Sequence, residues 1–329
     1  MTTTIGSILH GAYGDYYEQM LCLKHYKSRH PRDRLVLFFD SNARHRELQV
    51  LDMSWADEVH LADAIPDVHI DRFLQYQVHD PELQEGVLTR YRDELRGKIN
   101  LTTNIKPWAT MRRLDLKDPA VDIGLSELGR QRLPQCISDN GLCEQTLGAE
   151  FTVGFVWRYR AAGGAVSHFL QSREEDVRRT KSELLLEMIK SYGAHVLVCG
   201  MNLQVNDENR DRVDAKYTNK QLALESAHIS YLKGLSWGLE LEILRRCSLC
   251  IAMPSGFSEA LWIKRRGRGL CMVDAPPHYL LKLLANRMPL FDILHPGEFL
   301  FQIRQPHSKV RVLRHLRSKA MLPPTGTSP

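Results

Sequence analysis

The chain has 329 residues, 43% hydrophobic and 25% charged, long enough for two globular domains that each bury a core. Its net charge of +5 is mild for this size. Such a charge permits an anionic ligand or a membrane surface, and no nucleic-acid partner is expected.

Residues 4–10, TIGSILH, read as a short strand, followed by a Gly-bearing loop, GAYGD, at 11–15. A helix is predicted from about 16 to 30, closed by Pro31. LVLFFD at 35–40 is an apolar run of buried-strand length, which completes a β-loop-α-β unit. ADEVHL at 56–61 reads as a third strand, and 70–96 as a helix with charges on one face. Residues 97–150 are less regular, and polar, Gly-rich text around 138–148 places a domain boundary at 148–149.

A second β-loop-α-β unit follows. FTVGFVWRYR (151–160) is a strand, AAGGAVS (161–167) a loop, 173–192 an amphipathic helix and AHVLVCG (194–200) a buried strand. Residues 206–220 read as a loop and 219–228 as a helix. A strand at 229–232, a helix at 237–246, a strand at 250–253, a helix through SEALWIKRR and a strand at 270–275 complete the alternation. Strands alternating with helices in both halves predict an α/β fold, two Rossmann-like domains with parallel sheets covered on both faces. The expected organisation is 1–148, 149–303, and a basic helix with a disordered tail at 304–329. In KVRVLRHLRSK (309–319), Val310, Leu313 and Leu316 recur at helical spacing among basic residues. That helix either docks on the body or turns a basic face, within 304–319, to anionic lipid.

The opening MTTTIGSILHGAYGD lacks the basic segment and apolar core of a secretory leader, so none is expected. No stretch approaches about 18 uninterrupted apolar residues, so no span is expected. Seven cysteines, an odd number, fit reduced thiols in a cytoplasmic protein. Cys247 and Cys250 form a CxxC with no second pair at zinc spacing, and they read as core packing. The sequon at Asn100 and the LPPTG run at 322–326 lack the export context that would give them meaning.

Chemistry is expected where strands give way to loops. In PSGFSEALW, Ser255 and Gly256 follow a buried strand and begin a helix. Free N–H groups at a helix start carry partial positive charge and favour phosphate. Gly256 admits a close ligand, Ser255 and Ser258 offer hydroxyls, and Glu259 can accept from ribose. The plainer reading is that Ser255 only caps the helix. Arg158 and Arg160, two apart at another strand end, suit forked contacts to phosphate. Gly163, Gly164 and Ser167 follow in a loop able to bring backbone donors to an anion. In GAYGD, Gly11, Tyr13 and Gly14 form a third loop, and Asp15 stands at a helix start. Asp15 either stabilises the helix dipole or serves as a general base, with His10 as the alternative base.

ILHGAYGDYYEQMLCLKHYKSRHPRDRLVLFF resembles the opening of the ADP-heptose lipopolysaccharide heptosyltransferases: a strand, a loop ending in Gly-Asp, a helix and a second strand. YLKGLSWGLELEILRRCSLCIAMPSGFSEALW resembles a later stretch of the same family, with Pro254 and Phe257-Ser258 where that family carries an Asp and a His. VWRYR followed by SGFSEALW is also similar to the fucosyltransferases, whose arginine grips the donor's β-phosphate. Both are GT-B glycosyltransferases, with two Rossmann-like domains facing a central cleft. The resemblance implies inverting, metal-independent transfer from a nucleotide-diphosphate sugar, with no further cofactor, to a glycan, lipid-linked or small-molecule acceptor. It places Arg158, Arg160, Ser255 and Gly256 on the diphosphate, Gly200 and Met201 beside the base, and Asp15 on the acceptor hydroxyl. No DxD run suited to a metal is present. The alternatives are a nucleotide-sugar epimerase or hydrolase on the same scaffold, and a non-catalytic α/β binding protein.

Overall fold

In the first sheet, an apolar segment buried along nearly its whole length occupies the centre. Strand β1 (Thr4–Leu9) has five of its six residues buried, as a parallel strand covered on both faces requires. The computed structural model describes residues 2–11, 13–39, 42–61, 70–76, 99–105, 122–149, 151–156, 174–199, 227–232, 235–252, 256–265, 269–272, 299–301, 309–318, 320 and 322–323. It divides into two compact units. One comprises the chain up to Arg132 with Ser236–Gly238, and the other begins at Leu133.

The first unit contains β1, helix α1 (Tyr13–Arg29), β2 (Arg34–Phe39), α2 (Asn42–Leu48), β3 (Glu58–Leu61), β4 (Ile70–Tyr76) and β5 (Ile99–Ile105). Its strands run parallel in the order β3-β2-β1-β4-β5. Helix α1 starts three residues earlier than the predicted 16. It keeps Asp15 in its first turn and Lys27 and Arg29 in its last, matching its dipole. The predicted helix at 70–96 is overturned at its start, because 70–76 is a strand between β1 and β5. Its buried Ile70 and Leu74 lie four apart, a spacing that suits either a helix or a strand, and pairing with β1 decides the matter. The Thr4 amide donates to the Asp71 carboxylate at 2.8 Å, so one of the charges that suggested a helix face secures the strand.

Helix α3 (Glu127–Asp139), in text read as irregular, buries Gly129, Leu133 and Ile137 at four-residue spacing. Ser126 caps it, accepting from the Gly129 amide at 3.1 Å. Ser126 also donates from its hydroxyl to the Gln49 carbonyl (2.8 Å) and from its amide to the Val50 carbonyl (2.9 Å). These bonds hold the start of α3 to the first unit. Helix α4 (Glu144–Ala149) is tied to the second by an ion pair from Glu144 to Arg246. The two compact units part at 132–133.

The second unit holds β6 (Thr152–Val156), α5 (Glu174–Tyr192), β7 (His195–Cys199), β8 (Ile229–Tyr231), α6 (Trp237–Arg245), β9 (Leu249–Ala252), α7 (Gly256–Lys264), β10 (Leu270–Met272), β11 (Phe299–Phe301) and α8 (Lys309–Ser318). The first residues of α6 count with the first unit. The strands are again parallel, in the order β11-β10-β9-β6-β7-β8. The helix read at 219–228 and the loop at 206–220 fall almost wholly outside the described residues.

Alternate residues of β6 face different helices. Val153 and Phe155 join Leu184, Leu185 and Met188 of α5 and Leu313 and Leu316 of α8 in one core. Gly154, on the other side, leaves room for Leu244, Cys247 and Cys250, whose nearest atoms would lie 2.7–3.3 Å from an added Cβ. The CxxC pair is buried and free, as its reading as core packing requires. Helix α8 docks: its leucines are used in the core, and Arg317 Nε donates to the Tyr192 hydroxyl at 2.7 Å. Among the described residues, no helix is long and apolar enough to cross a membrane.

The carboxyl end of α6 is closed by a side chain from outside the helix. Arg265 Nη1 donates to the carbonyls of Leu244 (2.9 Å), Arg245 (3.1 Å) and Cys247 (2.7 Å), and Nη2 to that of Ser248 (3.2 Å). Carbonyls at a helix end have no intrahelical partner, and the guanidinium fork supplies one. Replacing Arg265 by Met is expected to cost about 3 kcal/mol in urea unfolding, the scale for orphaned buried acceptors. Arg265→Lys should recover only part of this, because one ammonium cannot span four carbonyls.

Candidate functional site

In open parallel sheets, ligands bind outside the carboxyl ends of the strands, where the order of winding reverses. Here the reversals fall between β1 and β4 in the first sheet and between β6 and β9 in the second.

In the second unit, Val156 is in register with both Ala252 of β9 and Cys199 of β7. The loops leaving these three strands therefore start side by side at one sheet edge. The sequence singled out the stretches after β6 and β9 for phosphate, and the residues after β7 for a place beside the base. Arg158, Arg160 and Ser167 follow β6, Gly200 and Met201 follow β7, and Ser255 follows β9; all six lie outside the described residues. Gly256 opens α7 and is half-buried, Ser258 is fully buried, and Glu259 is in the helix.

In the first unit, the loop after β1 is tightly built. His10 is fully buried. Gly11 has φ +101°, a region closed to most side chains. A Cβ on Gly11 would stand 2.9 Å from Asp15 Oδ2 and 3.0 Å from Asp15 Cβ. The Asp15 side chain thus lies against the face that glycine leaves open. Gly14 is buried and Asp15 half-buried.

Tyr13 is half-buried beside two residues that sequence reasoning missed. It stacks on Trp237 with ring centroids 5.9 Å apart, and the Arg44 guanidinium stands 4.6 Å from its ring centroid. Tyr17 also meets Trp237, at 5.8 Å, and the Trp237 amide donates to Glu47 Oε2 at 3.1 Å. On the same helix as Arg44, His45 sets its ring edge-on to Phe39 at 5.0 Å, and burial pushes its pKa below the usual imidazole value. Nothing in local sequence pairs Trp237 with Tyr13, because the contact spans more than two hundred positions. Gln19 left a legible signal: it is a polar residue on a buried stripe with Tyr16 and Leu23.

His10, Gly11, Tyr13, Gly14 and Asp15 thus come together at the carboxyl edge of the first sheet. Gly256, Ser258 and Glu259 share the first turn of α7 at the carboxyl edge of the second.

Two doubly wound parallel α/β units of this kind define the GT-B class of fold. No family model matches the chain, and no curated protein matches it either. Solved structures do. The E. coli ADP-heptose LPS heptosyltransferase II aligns with a TM-score of 0.55 at 13% identity, over 96% of this chain and 98% of that one. The E. coli heptosyltransferase WaaC, solved with ADP-2-deoxy-2-fluoro heptose, aligns with a TM-score of 0.53 at 10% identity, over 96% and 99%. A mutant of Arabidopsis thaliana FUT1, solved with GDP, aligns at 0.41 and 10% identity, over 80% and 68%, which is too loose to carry an argument. At these identities the heptosyltransferases establish a shared fold.

Gly11→Ala is expected to lower stability by about 1–3 kcal/mol, since it places a side chain at positive φ and drives it against Asp15. Chemical denaturation measures the cost. A crystal structure of the variant should show the Asp15 carboxylate displaced.

Proposed function

We propose that the chain is a glycosyltransferase moving a sugar from a nucleotide-diphosphate donor to an acceptor hydroxyl, with inversion and without a metal. The reading rests on one observation: the doubly wound order occurs in both sheets, with His10, Gly11 and Asp15 following the end of β1 in the first and Gly256 opening the helix after β9 in the second. Alignment with two heptosyltransferases over nearly the full length of each chain supports it.

Glycosyl transfer develops oxocarbenium character at the sugar carbon while negative charge grows on the leaving diphosphate. In this reading Arg158, Arg160, Ser167 and Ser255 grip that diphosphate, and the first N–H groups of α7, from Gly256 onward, face it. Preorganised donors of this kind stabilise developing charge without reorganisation. Gly200 and Met201 lie beside the nucleobase, and Glu259 accepts from the ribose. Asp15 takes the proton of the acceptor hydroxyl. Asp15 is preferred to His10 because its side chain is half-buried, whereas His10 has no exposed surface. The acceptor is a glycan, a lipid-linked sugar or a small metabolite. Cys22, Cys136, Cys143, Cys199, Cys247 and Cys250 form no disulfide, which suits a reducing, cytoplasmic setting.

A thermal-shift screen of ADP, GDP, UDP and dTDP tests the donor side. A nucleotide at 100 times its Kd should stabilise the native state by about 2.7 kcal/mol, and no shift with any of the four would defeat the assignment. Asp15→Asn should keep that nucleotide shift and lose transfer by about 100- to 10,000-fold, the usual contribution of a general base. Undiminished transfer by Asp15→Asn would remove Asp15 from the mechanism.

A further inference from the structure

Gln19 is fully buried, one helical turn beyond Asp15. Burying an unpaired amide is costly, and fixing a glutamine side chain loses up to about 2 kcal/mol of rotamer entropy. Its partners show what offsets this. Gln19 Nε2 donates to the His10 carbonyl at 2.7 Å and to the Asp15 carbonyl at 3.1 Å. Gln19 Oε1 accepts from the His10 amide at 3.3 Å. One side-chain amide thus pairs with both backbone groups of His10, as a neighbouring strand would, and reaches the residue that carries the carboxylate.

These bonds meet the chain where it leaves regular structure. β1 ends at Leu9, and α1 begins at Tyr13. Between them the backbone passes through the positive φ of Gly11. Glycine permits that turn and does not enforce it, since it adopts many conformations equally well. Gln19 supplies the enforcement by fixing His10 on one side of the turn and Asp15 on the other. An apolar residue of the same length would fill the space and leave the buried His10 amide and carbonyl without the partner they have.

We propose that Gln19 is a positioning residue, a clamp that sets the β1–α1 turn and thereby the reactive placement of the Asp15 carboxylate. The proposal rests on the transferase reading and deepens it. Asp15 Oδ2 would lie 2.9 Å from a Cβ on Gly11, so a shift of the turn moves the surface against which the carboxylate rests. Misplacing a catalytic group by about 1 Å costs on the order of 100-fold in rate.

The test uses the full chain with ADP-heptose, GDP-fucose and UDP-N-acetylglucosamine as donors, water as acceptor, and nucleoside diphosphate release as the signal. Gln19→Met is compared with wild type and with Asp15→Asn. Amide hydrogen exchange is followed at 8–15 and, as an internal standard, in β2. Gln19→Met should speed exchange at 8–15 by about tenfold or more while β2 keeps its protection, a local opening rather than a global one. It should lower kcat by about 100-fold with the donor KM within about twofold. A residue that mattered only for stability would change exchange in both segments and leave kcat per folded molecule unaltered.

Unchanged exchange at 8–15 overturns the clamp. So does a wild-type kcat in Gln19→Met when Asp15→Asn is inactive, and in that case the transferase reading survives. A fully active Asp15→Asn removes Asp15 from the mechanism and the clamp's catalytic meaning with it, while the transferase reading survives; no release from any of the three donors defeats the transferase reading and the clamp's catalytic meaning together. If Gln19→Met does not fold, Gln19→Glu keeps the chain length and the acceptor for the His10 amide while losing both donors, and it is judged on the same two readouts.

Discussion

A parallel sheet must be covered on both faces, because its crossovers lay helices over it and its strands are apolar throughout. Both sheets obey this constraint. In the second, Val153 and Phe155 of β6 meet α5 and α8, while Gly154 meets the Leu244 and cysteine side on the opposite face. Covering both faces from one chain requires the winding to reverse, and it reverses beside the first strand of each unit. At a reversal the flanking connections diverge, and the carboxyl edge between two paired strands stays open to a ligand. The location of the proposed chemistry therefore follows from the demand to bury apolar strands.

Departing from regular structure exposes backbone groups, and two buried polar side chains satisfy them. Arg265 closes the carbonyls at the end of α6, and Gln19 pairs with the backbone of the β1–α1 turn. Each is expensive to bury and each is spent on main chain. Gly269 shows how closely the first is fitted: at φ +56° it leaves space where a Cβ would meet Arg265 Nη2 at 2.6 Å. Lys264 and Glu242, both buried and 3.4 Å apart, add a charge pair between α7 and α6. A buried ion pair adds little net stability against apolar packing, but losing one partner is costly. Such groups restrict the chain to one arrangement.

Period and composition revealed the α/β class, the central strands and most helices, because long apolar runs of strand length leave few alternatives. They failed at Ile70 and Leu74, whose spacing of four fits either period, and at α3, where Pro134 interrupts an otherwise regular stripe of Gly129, Leu133 and Ile137. The site was legible in proportion to its locality. Gly11 and Asp15 lie only four positions apart, and a glycine shortly before a helix-starting carboxylate is a readable signal. Arg44 and Trp237 were not readable, since an aromatic stack between positions 13 and 237 exists only after the sheet has formed. Gln19 lay between these cases: its polarity on a buried stripe marks an unpaired demand, but only coordinates identify the His10 backbone as what meets it.

The first unit is not the product of the first part of the chain alone. Ser236–Gly238 belongs to it, with Trp237 against Tyr13 and Tyr17 and its amide on Glu47. An added Cβ on Gly238 would come within 2.7 Å of Val50, so the backbone there is pressed close to the same unit. The aromatic support behind the first turn of α1, which carries Asp15, is therefore delivered by a segment that follows β8 in sequence. A chain cut at either 132 or 148 keeps Asp15, Gly11 and Gln19 but loses the ring on which Tyr13 rests. The geometry of the candidate base is in this respect a property of the whole chain.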